Sequence, residues 1–310
     1  MTNTDATRPP WAGIGLALPT IDAFGNGTPV VEAARAAEAA GLDHVWVPDH
    51  LLFHRPVLEA MTVLTTAAAV TERITVGTAI LNPTLRPVTL LAKQLATVLA
   101  LAPDRLLLGV GLGGEYEPEF RAVGIDRKER GRRLDAALDL LPRLLSGEAV
   151  KADGILPVDC DGLAPVPASG MPPVLVGGRS EAALRRAARV GDAYFPMWMD
   201  PADVATARDR LAELAAEHGR PAPGVCLVAF VNVCEDPAVG AEQAAEHIRR
   251  QYGMPFHLVE QWALIGGVSQ IAQRVQEYRD AGVDGFSLSP AHPHPLTQID
   301  GVAAVREALA

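Results

Sequence analysis

Two neighbouring side chains, Asp49 and His50, carry the most legible chemistry in this chain. A carboxylate beside an imidazole can move a proton near neutral pH, where histidine titrates. The pair closes the segment DHVWVPDH, in which Val45, Trp46 and Val47 suit a buried strand and Pro48 cannot extend a hydrogen-bonded ladder. Asp49 and His50 therefore stand at a strand exit. Taken alone, they would serve equally as a helix cap and a surface imidazole. A second pattern is VLVGGRS. Gly177 and Gly178 let backbone N–H groups approach a ligand, Arg179 adds a cation, and Ser180 opens a helix whose N-terminus favours an anion such as phosphate. The same residues also make an ordinary strand-to-helix turn. The glycine-rich GVGLGGE lacks the spacing of a dinucleotide fingerprint, and no Walker pattern is present. His292 and His294 have no third ligand at suitable spacing, so no metal site is expected. Glu117 and Glu119 read as solvated, and His44 as a packing residue.

The elements that must hold these residues alternate. Strand-like runs lie at Gly13–Leu18, Asp43–Val47, Ile74–Ile80, Leu106–Val110, Val174–Val176, Asp192–Phe195, Val225–Val233 and Asp284–Leu288. Helical patterns separate them, starting with Pro29–Ala40 after a Thr28 cap and including the long Arg127–Leu145. About eight strand–helix repeats imply parallel βαβ units closed into an α/β (β/α)8 TIM barrel, with an open doubly wound sheet as the alternative. Prolines and glycines crowd 147–173, which reads as an insertion before strand five within a single domain spanning 1–310. In such a barrel the site is at the C-terminal strand ends. These ends offer Asp49 and His50; Ala79, Ile80 and Asn82; Gly111 to Glu115; Gly177 to Ser180; Met197 and Trp198; Asn232; and Ser289, His292 and His294. A few polar groups among bulky apolar ones suit a flat organic ligand.

Bulk composition narrows the partners. Hydrophobic residues make up 49% of 310, enough for a large core, and the formal charge of -10 argues against nucleic acid or an anionic membrane as the main partner. The first eleven residues lack a signal-peptide pattern, and charges interrupt every apolar stretch before a membrane span is complete. Three widely spaced cysteines fit neither a disulfide framework nor zinc. A cytoplasmic protein is expected, and exposed apolar helix faces would suit a homodimer.

Taken together, AAEAAGLDHVWVPDH, ITVGTAILNPTLRP, AKQLATVLALAPDRLLLGVGLGG, VLVGGRS and IAQRVQEYRDAGVDGFSLSP run in an order that resembles the bacterial luciferase-like superfamily of flavin- and deazaflavin-dependent oxidoreductases. The resemblance covers nearly the whole chain. It implies a barrel binding coenzyme F420 or FMN, and VPDH is most similar to the F420 branch. By position, Asp49 would contact the cofactor and His50 would donate the proton. A non-proline cis peptide at Ala79–Ile80 would support the ring. Gly177, Gly178, Arg179 and Ser180 would hold its phosphate, with Asn82, Thr84, Gly111 and Gly113 nearby. Glu115 is the nearest equivalent of a second acid/base used by sugar-phosphate dehydrogenases, displaced by one extra glycine, and His54 replaces their aromatic residue. The sugar-phosphate substrate is therefore not carried over. His54, Trp198 and the 147–173 insertion would bound a small-molecule substrate. The alternatives are an FMN-dependent monooxygenase served by a separate flavin reductase, and a non-catalytic flavin-binding protein.

Overall fold

A computed structural model describes residues 8–22, 28–114 and 116–310. Glu115, the first seven residues of the expected tail, part of the Pro19–Gly27 loop and the side chain of Thr28 lie outside the described residues. Among the described residues eleven strands run in chain order: β1 (Gly13–Ala17), β2 (His44–Val47), β3 (Thr75–Thr78), β4 (Leu106–Val110), β5 (Val150–Ala152), β6 (Val158–Cys160), β7 (Val174–Gly177), β8 (Ala193–Phe195), β9 (Gly224–Val233), β10 (Leu264–Gly266) and β11 (Gly285–Pro290). The helices are α1 (Thr28–Ala39), α2 (Ala60–Val70), α3 (Val88–Leu101), α4 (Glu117–Ala122), α5 (Arg130–Leu145), α6 (Glu181–Val190), α7 (Pro201–Glu217), α8 (Pro237–Tyr252), α9 (Val268–Asp280) and α10 (Ile299–Glu307).

Eight strands close in the order β1-β2-β3-β4-β7-β8-β9-β11 and back to β1, all parallel, with β10 added beside the far end of β9. This is the expected (β/α)8 barrel. Residues alternate between its lumen and the helices outside. The lumen is plugged by Trp46, fully buried, with its ring centroid 4.9 Å from that of Phe195. Its neighbours in register are Ala17 on β1 and Gly77 on β3. A Cβ at Gly77 or at Gly15 would overlap the indole, so these two strands carry glycine where β2 carries its largest side chain. Leu107, Leu175, Ala193 and Cys226 complete this plug, and the cleft opens above it.

The 147–173 insertion holds an antiparallel β5–β6 hairpin. It packs β5 against α5 and β6 against α3, with Val150 and Val158 buried. The chain here is about to enter β7, so the hairpin belongs to the face where strands begin. None of its residues lines the cleft at the strand exits. The expectation that it bounds the substrate is thus corrected.

Candidate active site

The strand exits surround a cleft of about 820 Å³. That is at the upper end of the range, roughly 300–1,000 Å³, of small-molecule sites. Asp49, His50, His54, Ala79, Ile80, Gly113, Arg179 and Trp198 all line it, so the second, third, fourth, fifth and sixth exits do converge.

His50 is fixed from two sides. Its ring stacks on Phe53, with centroids 4.0 Å apart and planes at 21°. Its Nδ1 lies 3.5 Å from Glu119 Oε2, near enough for a charge contact but without a hydrogen-bond partner among the described residues, and Nε2 is the nitrogen that can serve a ligand. Glu119, expected in solvent, is fully buried, because α4 turns its Glu119–Phe120 face inward behind the β2 exit. Its Oε2 accepts a hydrogen bond from the Leu51 N–H at 3.2 Å, while Oε1 is buried with no hydrogen-bond partner among the described residues. Glu117 is exposed, as expected.

Asp49 is clamped by a half-buried arginine. Arg86 Nη1 and Nη2 lie 2.7 and 2.9 Å from its two oxygens, and the Asn82 N–H donates to Oδ2 at 2.9 Å. Asp49 is therefore a wall residue whose charge is already answered. Asn82 is fully buried and does not line the cleft. Its Oδ1 accepts from the Thr84 N–H and hydroxyl, and its Nδ2 donates to the Leu112 carbonyl, so it ties two loops together. Asn232 is likewise buried, donating to Gly240 and Ala291 carbonyls.

The Ala79–Ile80 peptide bond is cis. Gly111 and Gly177 do not reach the cleft. They lie against the Ile80 side chain, which a Cβ at either position would hit. Gly178, at φ 122°, and Ser180 are exposed beyond the cleft's edge. The Ser180 hydroxyl accepts from the Ala183 N–H at 3.3 Å, so it caps α6. Arg179 alone of that turn lines the cleft, its guanidinium 5.3 Å from the centroid of the Trp198 ring.

Sequence reasoning missed Thr20, Phe53, Tyr116, Tyr252 and Ser287, all of which line the cleft. Thr20 Oγ1, Ser287 Oγ and Trp198 Nε1 are buried there without hydrogen-bond partners. Burial also pushes the Tyr252 phenol up to about 12 and holds the His247 imidazole at the cleft's edge down to about 4, so both are neutral near pH 7. Among the described residues no group of three or more metal-binding side chains occurs, and no helix is long and apolar enough to cross a membrane.

Fold and site together define a (β/α)8-barrel enzyme with a mostly apolar, ring-lined cleft at the strand exits. Comparison gives the family. The model of the luciferase-like monooxygenase family matches residues 17–258, and the chain belongs to that family. An F420-dependent glucose-6-phosphate dehydrogenase of Beutenbergia cavernae is 35% identical over 211 residues, 65% of this chain and 62% of that protein. A 5,10-methylenetetrahydromethanopterin reductase of Archaeoglobus fulgidus is 28% identical over 202 residues, 65% of this chain and 59% of that one. These two alignments thus span less than two thirds of each relative's length. Among solved structures, an F420-dependent secondary alcohol dehydrogenase in complex with an F420-acetone adduct shares the fold at TM-score 0.83 and 18% identity, covering 96% of this chain and 99% of that one. The oxygenating constituent of 3,6-diketocamphane monooxygenase from Pseudomonas putida, in complex with FMN, does so at TM-score 0.78 and 14% identity, covering 96% and 98%.

Proposed function

We propose that this chain transfers a hydride between coenzyme F420 and a small organic substrate. One observation carries the reading: His50 at the second strand exit and Arg179 at the fifth open on the same cleft, on either side of Ile80. The F420-dependent relatives support it.

The cleft suits the cofactor. Its buried hydroxyls at Thr20 and Ser287 have no partner and call for the polar edge of a ring. Ala79 and Ile80 would support that ring, and Arg179 with the start of α6 would hold the phosphate. When bound, F420 supplies a two-electron hydride donor or acceptor at C5 of its deazaflavin. The protein supplies the rest. Phe53 and Glu119 hold the His50 ring in one orientation. His50 Nε2 gives or takes the proton that accompanies the hydride. Arg86 keeps Asp49 in place, and through Asn82 keeps the third strand exit in place.

Titrating the purified full-length chain with F420 and with FMN tests the cofactor. Tight F420 binding and much weaker FMN binding are expected; tight FMN binding with negligible F420 binding overturns the proposal. His50→Ala should lower turnover by about a hundred- to ten-thousandfold, the usual worth of a positioned proton carrier, with cofactor affinity nearly unchanged.

A further inference from the structure

Resting on that reading, the side of the cleft around His50 indicates what lies beside the cofactor. It is a wall of rings. Phe53 stacks on His50 and meets Tyr252 edge-on at 5.5 Å between centroids. His54 packs on Tyr116 at 4.7 Å, and Phe53 meets Tyr116 edge-on at 6.4 Å. These residues come from three separate elements: the loop after β2, the turn before α4, and the end of α8.

Charge is scarce on the same surface. Asp49 is neutralised by Arg86. Arg179 is the sole Lys or Arg among the described residues lining the cleft, and it stands at the phosphate turn. A sugar phosphate, the substrate named for the Beutenbergia cavernae relative, carries a dianion and a ring of hydroxyls. Desolvating them against phenyl and phenol faces leaves their hydrogen bonds unanswered. A flat apolar molecule instead gains offset-stacked and edge-on contacts as well as buried area.

We propose that the substrate is a planar, uncharged carbonyl compound with an aromatic or conjugated body, such as a quinone or aryl ketone, held between the cofactor and the Phe53–Tyr116–Tyr252 wall. Reduction would add one hydride, supplied by reduced F420, and one proton, from His50 onto a carbonyl oxygen, so that an aryl ketone becomes its alcohol and a quinone its hydroquinone. Two electrons and two hydrogens are exchanged, and F420 is left oxidised.

The test uses the full-length chain, with and without saturating F420. The probes are 2-methyl-1,4-naphthoquinone and glucose 6-phosphate, followed by calorimetry and by KM and kcat. The quinone should bind with F420 present, and glucose 6-phosphate at least tenfold more weakly. Phe53→Leu and Tyr116→Leu keep apolar bulk and remove ring faces. Each should weaken quinone binding about three- to tenfold; Tyr116→Leu should raise KM more than it lowers kcat, while Phe53→Leu, which also frees the His50 ring, should lower kcat as well. Equal or tighter binding of glucose 6-phosphate, displacement of the quinone by F420, or unchanged affinity in both variants overturns the inference. If F420 itself does not bind, the cofactor reading falls. The quinone affinities of the cofactor-free wild type and variants then decide the substrate class separately.

Discussion

Glu119 reaches from the first turns of α4 to within 3.5 Å of His50 Nδ1, and this carboxylate is fully buried. A buried carboxylate beside an imidazole holds the ring in one orientation and turns its other nitrogen outward. Glu119→Gln keeps the shape and removes the charge. Turnover should fall about ten- to a hundredfold while F420 affinity stays near wild type, and turnover of Glu119→Ala, which removes the shape as well, should fall further. Unchanged turnover in Glu119→Gln would show that Glu119 serves packing alone.

Arg86 and Asp49 form a forked ion pair with side chains 11% and 1% exposed. Removing the cation leaves a buried carboxylate without its partner, which typically costs about 3–5 kcal/mol. Arg86→Met should therefore lower unfolding stability by that amount in urea titrations, and Asp49→Asn in the same chain should recover part of it. A loss under about 1 kcal/mol would mean that water replaces the guanidinium at no strain.

The barrel was legible because its signals are local and repeat. β-Branched runs, proline and glycine stops and helical periods mark each unit, and the parallel closure follows. Asp49, His50 and Arg179 were readable because they stand at strand exits, where topology dictates a shared mouth. The wall of Phe53, Tyr116 and Tyr252 was not, since these rings meet only after three distant loops fold over one rim. Glu119 was misread because its surroundings, GEYEPEF, look polar. The adjoining Phe120, buried at 1% exposure, was the available sign that α4 turns inward. Asn82, Gly111 and Gly177 stand at the right exits but serve the scaffold, Asn82 by bonding Thr84 and Leu112 and the glycines by leaving room for Ile80, which spacing alone does not resolve.

His44, at the start of β2, is almost fully buried, with Nε2 3.0 Å from the Pro10 carbonyl. Burial holds its imidazole down to about 4 from the ordinary 6.5, against the opposing pull of Asp43 and of that carbonyl. The unfolded chain accepts a proton near 6.5 that the folded chain refuses until about 4. Stability from this group is therefore complete above 6.5 and is lost progressively as pH falls towards 4, by roughly 3 kcal/mol at most. Urea midpoints measured from pH 7 to pH 4.5 should fall in wild type and fall distinctly less in His44→Gln. Parallel curves for the two proteins would assign the acid sensitivity elsewhere.

Arg179 has its guanidinium over Trp198 and no carboxylate partner among the described residues. On the proposed function it meets the cofactor's phosphate, and a charge-assisted hydrogen bond of this kind is worth about 1.5–3 kcal/mol, or roughly ten- to a hundredfold in affinity. Arg179→Ala should weaken F420 by that factor. The same change should barely alter binding of the phosphate-free deazaflavin chromophore, because Trp198 and the Ala79–Ile80 support remain. The wild-type preference for F420 over the bare chromophore should also shrink as salt is raised, since the charged contact sits at a solvent-facing rim. Equal losses for the two ligands would place Arg179 beside the ring instead, and the phosphate would then need another anchor.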